Sequence, residues 1–249
     1  MGFGLCNLGI VPLRVSASEQ SEMTSQLLYG ESFRILESKG EWAYISTFPD
    51  AQEAWVRENQ ITRITEELFH SLQSPETAFS GDLVDFVSAG KELMAIPLGA
   101  ALGALDHLGH RFNGTRISGI GNRSHLVQTA FLYMNAPMLH GGRTPFGIDA
   151  AGFVQMVYRL SGIMIKRKAA QQATQGESLS FIEESQPGDL VFFDNDSGEI
   201  DHVGMLLEDH HIIHVFGKVR LDRLDHSGIY NTDLRRHTHQ LRVIKKLLD

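Results

Sequence analysis

The sequence has little cysteine, no long apolar run and no cluster of basic residues, and each absence excludes a class of protein. One cysteine, Cys6, occurs among 249 residues, so no disulfide can form within the chain. No apolar run approaches the ~20 residues that a membrane-spanning helix needs. The formal net charge of -8 argues against a surface for nucleic acid or anionic lipid. The sequence therefore predicts no nucleic-acid and no membrane partner.

The amino-terminal residues also lack a secretory pattern. Residues 1–15 contain no basic stretch followed by an apolar one, and Arg14 interrupts the apolar positions. Hydrophobic residues make up 42% of the chain and charged residues 21%, a balance that allows a substantial buried core. The low cysteine content fits a reducing compartment. We therefore expect a cytoplasmic globular protein with one large domain or two smaller ones.

Short β-forming segments separated by turn residues fill the first 64 positions. Gly30, Gly40 and Pro49 mark turns between them. The segments with β-forming or alternating residues are 8–15, 26–29, 33–37, 42–46 and 53–56. This spacing predicts a small antiparallel β-barrel over residues 1–64.

Residues 65–123 carry a weaker pattern. A short helix fits residues 65–72, and strands fit residues 83–87 and 93–97. The alanine- and glycine-rich stretch 99–103 has no clear periodicity. The segment is interpreted either as a linker or as a partial second barrel.

Residues 140–160 form the most informative stretch, where a glycine-rich turn opens into a helix. Gly141 and Gly142 mark the turn, and Asp149 is placed to cap the helix that follows. Residue 150 then lies in the first helical turn, where the helix dipole lowers the pKa of a thiol. A cysteine at that position would be a good nucleophile, but the sequence has Ala150.

Residues 124–249, which include this stretch, have the pattern of helical units followed by antiparallel strands, which predicts an α+β domain. His202 and His214 fall on two successive strands joined by a short turn. Because side chains alternate between the faces of a strand, the two histidines can lie side by side. The predicted strands are 190–193, 202–207, 211–216 and 241–246.

Residues 124–249 resemble the NlpC/P60 papain-like cysteine peptidases, which cut bacterial cell-wall peptides. The resemblance rests on the Gly-Gly turn with Asp149-Ala150-Ala151-Gly152, the segment 186–193, and His202-Val203-Gly204 followed by Ile212-Ile213-His214. The segment 1–64 resembles a bacterial SH3-like domain, and the combination is similar to the γ-D-glutamyl-L-diamino-acid endopeptidases of murein peptide recycling. The resemblance implies an α+β papain-like domain, with a helix packed on an antiparallel sheet, after a small SH3-like β-barrel.

The resemblance also implies roles for three positions and no cofactor. His202 matches the general base of the family, and His214 matches the residue that orients this base. Ala150 occupies the position of the nucleophile, which is therefore predicted to be non-functional.

Other positions of the predicted cleft also depart from the family pattern. His140 replaces an aromatic residue before the Gly-Gly turn, Ala151 replaces the serine after the nucleophile, and Phe216 replaces a small residue after the second histidine. Lys168 replaces an aspartate that the resemblance implies would hold the free amine of the peptide. The predicted ligand-binding set is His140, Asp149, Ala151, Arg167, Lys168, Ala169 and Phe216.

The charge of Lys168 bears on the substrate. Two unit charges ~4 Å apart interact by about 4 kcal/mol at an effective dielectric constant near 20. A lysine facing the peptide's ammonium group would therefore disfavour the substrate of the family, unless Lys168 turns into solvent.

Three interpretations of the site stay open. In the first, the chain is a pseudoenzyme that binds a murein-derived peptide, an altered ligand or a protein partner without cutting it. In the second, it is an active endopeptidase whose nucleophile was replaced by an engineered Cys→Ala change. In the third, His140, His202 and His214 form a metal site near Asp149, because three histidines suit zinc with one open position.

Overall fold

The computed structural model describes residues 2–74 and 77–248, which form two compact units. One unit comprises the described residues up to Ile120 together with His140–Pro145, and the other comprises Gly121–Leu139 with the described residues from Phe146 onward. The domain boundaries predicted after residues 64 and 123 stay predictions. None of the helices in the described part of the chain combines the length and apolar character needed to cross a membrane.

Seven antiparallel strands build the first sheet of the amino-terminal unit. They are β1 (Gly2–Leu5), β2 (Ile10–Arg14), β3 (Met23–Leu28), β4 (Ser32–Lys39), β5 (Trp42–Thr47), β6 (Glu53–Arg57) and β7 (Thr62–Ile64), with a 3₁₀ turn at Glu58–Gln60. Their order is β3-β2-β6-β5-β4-β1-β7. Inward-facing apolar residues such as Leu13, Ile45 and Val56 are buried, and Gly4 leaves room for the ring of Phe33. This arrangement confirms the predicted SH3-like β-barrel.

The rest of this unit contains short elements around a second apolar cluster. They are α1 (Glu66–Ser71), β8 (Phe79–Ser80), β9 (Val84–Ala89), β10 (Glu92–Pro97), α2 (Leu105–Leu108), β11 (Arg111–Phe112), β12 (Arg116–Ile117) and β13 (Arg143–Thr144). The strands form a three-stranded sheet, β10-β9-β11, and a pair, β12-β8. Tyr29 packs with Val87, Ile96, Leu102 and Phe112 in the buried cluster. The segment is therefore anchored by its own apolar residues.

The carboxy-terminal unit consists of helices packed on a second antiparallel sheet, which confirms the predicted α+β fold. Its elements are α3 (Arg123–Leu132), β14 (Gly147–Ile148), α4 (Ala150–Leu160), α5 (Ala169–Gln172), β15 (Glu177–Leu179), β16 (Leu190–Asp194), β17 (Ile200–Leu206), β18 (His211–Phe216), β19 (Lys218–Asp225), β20 (Gly228–Asn231) and β21 (Arg236–Lys246). Two 3₁₀ turns lie at Ile182–Glu184 and Glu208–His210.

The second sheet closes on itself. Its order is β15-β21-β16-β17-β18-β19-β20, and β20 also pairs with β21. Six strands, from β16 to β21, therefore form a closed ring, and β15 extends β21 outside this ring. Apolar side chains that include Phe193, Leu206, Ile212 and Ile244 are buried together in this unit.

Helix α4 is more deeply buried than an amphipathic pattern predicts. Every residue from Gly152 to Leu160 is buried, because α4 packs on β17 and β18 and also against α3. The Tyr158 hydroxyl donates to the carbonyl oxygen of Gly188 over 2.5 Å. The first helical turn, which carries Ala150, is only half-buried.

Candidate active site

The amino-terminal end of α4 is held by a network of charged and polar side chains. Asp149 caps the helix, and its Oδ1 accepts a hydrogen bond from the backbone N–H of Gly152 over 2.6 Å. The buried guanidinium of Arg167 donates to both oxygens of the same carboxylate, over 2.9 and 2.6 Å. This two-point pairing fixes Asp149 and therefore the position of Ala150, the first residue of the helix.

A second contact ties the segment 166–172 to the start of α4. The side-chain amide of Gln172 is fully buried and donates to the carbonyl oxygens of Ala151 and Lys166 over 2.9 and 2.8 Å. Within this segment Ala169 is buried, whereas Lys168 is exposed. Solvent therefore screens the charge of Lys168. The ligand-binding roles assigned from the sequence to this segment stay predictions.

His202 on β17 and His214 on β18 form a buried pair. His202 Nε2 lies 3.0 Å from His214 Nδ1, and the rings are almost perpendicular, at 86°. Gly204 pairs directly with His214 in the sheet, and a side chain there would collide with Ile212 and His214. The predicted proximity of the two histidines is confirmed, whereas their distance from Ala150 stays a prediction.

A buried carboxylate on β19 completes the chain of contacts. Asp222 Oδ2 lies 3.0 Å from His214 Nε2, and Arg220 donates to both oxygens of Asp222 over 2.7 and 3.0 Å. Asn231 Nδ2 is a further donor, 3.2 Å from Oδ2. Burial opposes ionisation of Asp222, but the hydrogen bonds from His214 and Arg220 outweigh it and lower the pKa of the carboxyl group.

This arrangement assigns the tautomers of the two histidines. The carboxylate of Asp222 can only accept, so His214 carries its proton on Nε2 and presents the bare Nδ1 to His202. His202 then donates from Nε2, which leaves its Nδ1 as the free base. Burial lowers the pKa of both rings, so both are neutral at pH 7.

A third histidine, His239 on β21, lies against this pair. Its ring stacks on His202 with centroids 4.0 Å apart and planes 24° apart. The ring of Phe216 meets it edge-on at 5.5 Å. Burial, and then the repulsion from His214, lowers the pKa of His239 to about 4. One ring nitrogen from each of the three histidines lies within 4.8 Å of the others.

Comparison with known proteins finds two family matches in the chain. Residues 135–239 match the NlpC/P60 family, and residues 13–61 match the bacterial dipeptidyl-peptidase SH3 domain. The chain carries an NlpC/P60 domain. The NlpC/P60 match includes α4, His202 and His214, and the SH3 match includes strands β3 to β6.

Proteins similar to this chain include named peptidases. A γ-D-glutamyl-L-lysine dipeptidyl-peptidase of Bacillus cereus is 34% identical over 91 residues, which cover 36% of this chain and 27% of that protein. A dipeptidyl-peptidase 6 of Lysinibacillus sphaericus is 26% identical over 252 residues, covering 86% of this chain and 89% of that one. The chain thus spans about a quarter of the length of the first relative and most of the second.

A solved structure supports the fold over the whole chain. An NlpC/P60 family protein from Bacillus cereus superimposes with a TM-score of 0.82 and covers 99% of this chain and 100% of its own. Its sequence is 17% identical, so the similarity concerns the fold alone.

The three histidines that the sequence proposed as a metal site lie in two different units, so the structure does not test this set. His140 belongs to the amino-terminal unit, where its Nε2 lies 2.7 Å from Glu22 Oε1 and its side chain is 74% exposed. In the described residues, the partner that joins His202 and His214 is His239 of the NlpC/P60 domain. The set of His140, His202 and His214 therefore stays a prediction.

Asp222 and His239 were both missed in the sequence. Asp222 lies on β19, which is not among the predicted strands, and His239 lies on β21, whose first half precedes the predicted strand 241–246. The alternation of His237 and His239 along β21 is a signal that could have extended this strand.

Proposed function

We propose that this chain is a catalytically inactive member of the γ-D-glutamyl-L-diamino-acid endopeptidase group, a pseudoenzyme that binds a murein-derived peptide or a related ligand without cutting it. The observation that carries the proposal is Ala150 at the first position of α4, where the family chemistry needs a thiol. Removing a catalytic nucleophile can reduce turnover on the order of a millionfold. A methyl group offers no replacement chemistry.

Cys6 does not supply the missing thiol. It is fully buried in the apolar cluster of the β-barrel, and its Sγ lies 3.2 Å from the carbonyl oxygen of Leu8. Burial raises the pKa of this thiol well above its usual range, so it remains a protonated and unreactive group.

The retained network supports binding rather than complete loss of function. Asp149 remains paired with Arg167, and Gln172 still holds the carbonyl oxygen of Ala151. His202 and His214 keep a hydrogen bond between their buried rings. A ligand with hydrogen-bonding groups could use these fixed polar atoms.

Lys168 and Phe216 favour a ligand that differs from the substrate of the family. Lys168 repels a peptide with a free α-amine, but its exposure limits the expected loss of affinity to about tenfold or less. Phe216 is 37% exposed and adds an apolar surface beside His239. A peptide whose amino-terminal group is acidic or uncharged would fit a site with Lys168 and Phe216 better.

A second candidate is an active endopeptidase in which alanine replaces the catalytic cysteine by engineering. The observation that favours it is the intact Asp149–Arg167 pairing beside Ala150. The altered residues His140, Ala151 and Lys168 favour the first candidate, because one engineered substitution leaves them unexplained. The codon for residue 150 in the source gene distinguishes the two.

The test compares the unmodified protein with Ala150→Cys and with Ala150→Cys, Lys168→Asp, Phe216→Ser. Calorimetry measures binding of L-Ala-γ-D-Glu-diaminopimelate and of its N-acetylated form, and chromatography measures hydrolysis. We expect no hydrolysis by the unmodified protein, tighter binding of the acetylated peptide, and faster cleavage by the triple variant than by Ala150→Cys. Cleavage by Ala150→Cys alone, at the rate of an ordinary peptidase, would support the engineered alternative. Absence of binding to both peptides would contradict a peptide-binding pseudoenzyme.

A further inference from the structure

We propose that His202, His214 and His239 form a binding site for a divalent transition metal, with zinc as the ion that fits three imidazoles. One ring nitrogen of each lies within 4.8 Å of the other two, and His202 and His214 are buried while His239 is half-buried. Three histidines with a solvent ligand in the fourth position satisfy tetrahedral zinc. The proposal does not depend on the proposed peptide binding, because the three ligands are side chains of the protein and no atom of a peptide takes part.

The spacing of the buried pair is close to that of two zinc ligands. With zinc–nitrogen bonds of about 2.0–2.1 Å, two tetrahedral ligands have nitrogens about 3.4 Å apart. His202 Nε2 and His214 Nδ1 are 3.0 Å apart. The two nitrogens therefore need to move apart by a few tenths of an ångström. The rings must also tilt so that both lone pairs point at the ion, which then replaces the hydrogen bond between them.

His239 needs the larger adjustment. Its ring is nearly parallel to His202, so the lone pairs of the two rings lie in parallel planes and cannot meet at one ion. Rotation of the His239 side chain gives up this stack and the 2.9 Å contact between its Nδ1 and Thr238 Oγ1. A half-buried side chain at the end of the cluster has the freedom to make this rotation.

The surroundings of His214 are those of a metal ligand. Metal-bound histidines usually donate their other N–H to a carboxylate, which fixes the ring and increases its basicity. His214 Nε2 makes this contact with Asp222, and Arg220 and Asn231 hold Asp222 in turn. The single negative charge of Asp222 also offsets part of the charge that a divalent ion would bring to three neutral ligands.

The experiment uses the full chain purified without a histidine tag and dialysed against a chelator. Zinc chloride is titrated by calorimetry, and cobalt(II) is added as a spectroscopic probe of coordination geometry. We expect one zinc per chain and cobalt absorption of tetrahedral intensity. His239→Phe keeps an aromatic ring in the stack but removes the ligand, so it should weaken zinc binding roughly a hundredfold. Asp222→Asn should weaken it by about 10–100-fold.

His237→Ala provides the matched control, because His237 lies on the same strand, is exposed, and pairs with Asp225 outside the cluster. Its zinc affinity should equal that of the unmodified protein. Circular dichroism of each variant identifies loss of fold. The proposal is overturned if the folded protein binds no zinc, or if folded His239→Phe retains the full affinity, or if His237→Ala loses it. None of these results bears on peptide binding, which is measured separately and without metal.

Discussion

Asp222 Oδ2 lies 3.0 Å from His214 Nε2, and this contact decides which nitrogen of each buried histidine carries a proton. The carboxylate is fully buried, and its four donors are His214, Arg220, Asn231 and the backbone of Thr232. Because His214 Nδ1 is then an acceptor, His202 donates to it from Nε2 over 3.0 Å. Asp222, two strands away in the sheet, therefore determines that Nδ1 is the unprotonated nitrogen of His202.

Asp222→Ala should destabilise the protein by about 1–3 kcal/mol, because it leaves His214 Nε2 without its buried acceptor and leaves Arg220 with the exposed Asp233 as its carboxylate partner. Urea unfolding followed by circular dichroism measures the change. Asp225→Asn is the control, since Asp225 lies on the same strand but pairs with His237 at the surface. That change should cost less than about 1 kcal/mol. Equal effects of the two substitutions would contradict a special role for Asp222.

The free energy of unfolding should fall as the pH is lowered from 6.5 towards 4. Burial, and then the repulsion from His214, lowers the pKa of His239 from 6.5 to about 4, while Asp222 opposes this shift. Between pH 6.5 and 4 His239 binds a proton in the unfolded chain but stays neutral in the folded chain. The free energy of unfolding is therefore highest above pH 6.5 and falls on acidification. Burial lowers the pKa of His202 as well, which adds to the same trend.

Urea unfolding at several pH values, with His239→Phe for comparison, measures this dependence. The variant should show a smaller loss between pH 6.5 and 4, because one shifted group is absent. Proton NMR of the histidine rings gives the direct readout. A His239 ring that titrates near pH 6.5 would show that it is not buried against the pair.

The ion pair between Arg143 and Glu31 should stabilise the amino-terminal unit. Two hydrogen bonds of 2.9 and 3.0 Å join the side chains, both of which are 6% exposed. Glu31→Gln should destabilise the protein by about 3–5 kcal/mol, since it removes the carboxylate that neutralises the buried Arg143 guanidinium. Glu41→Gln removes an exposed partner of Arg57 and should change stability by less than about 1 kcal/mol. A thermal or urea melt that shows no difference between them would contradict the assignment.

The thiol of Ala150→Cys should react with iodoacetamide as an acidic cysteine. The helix amino terminus lowers its pKa below about 8.5, and an adjacent imidazole base would lower it further. The pH dependence of alkylation gives this pKa, and Cys6 contributes no signal because it is fully buried. Adding His202→Ala separates the two causes. Unchanged reactivity in the double variant would show that His202 does not act on residue 150.

The sequence predicted the site where local signals are strong. Asp149 is recognisable as a helix cap because it precedes an apolar helix, and the structure has it accepting from Gly152. His202 and His214 follow from strand alternation, because their strands are apolar runs with a short turn between them. These features depend on neighbouring residues only.

The missed residues depend on contacts that are distant in sequence. Strand β19 places Asp222 at a buried position while the adjacent Leu221 is 39% exposed, so its pattern contradicts the usual rule of apolar residues inside. A buried aspartate is tolerated because donors from three strands converge on it. His239 meets His202 because β21 pairs with β16, a relationship that no local pattern in the sequence contains.

Closure of the second sheet limits how an extended peptide can be held. Each strand from β16 to β21 has a neighbour on both sides within the described residues, so the ring itself contains no edge strand. Apart from β15, which lies outside the ring and pairs only with β21, the described part of this sheet has no edge strand that a peptide could extend. Recognition by the NlpC/P60 domain at these strands therefore depends on side chains, and substitution of a few residues can change the ligand while the backbone stays the same.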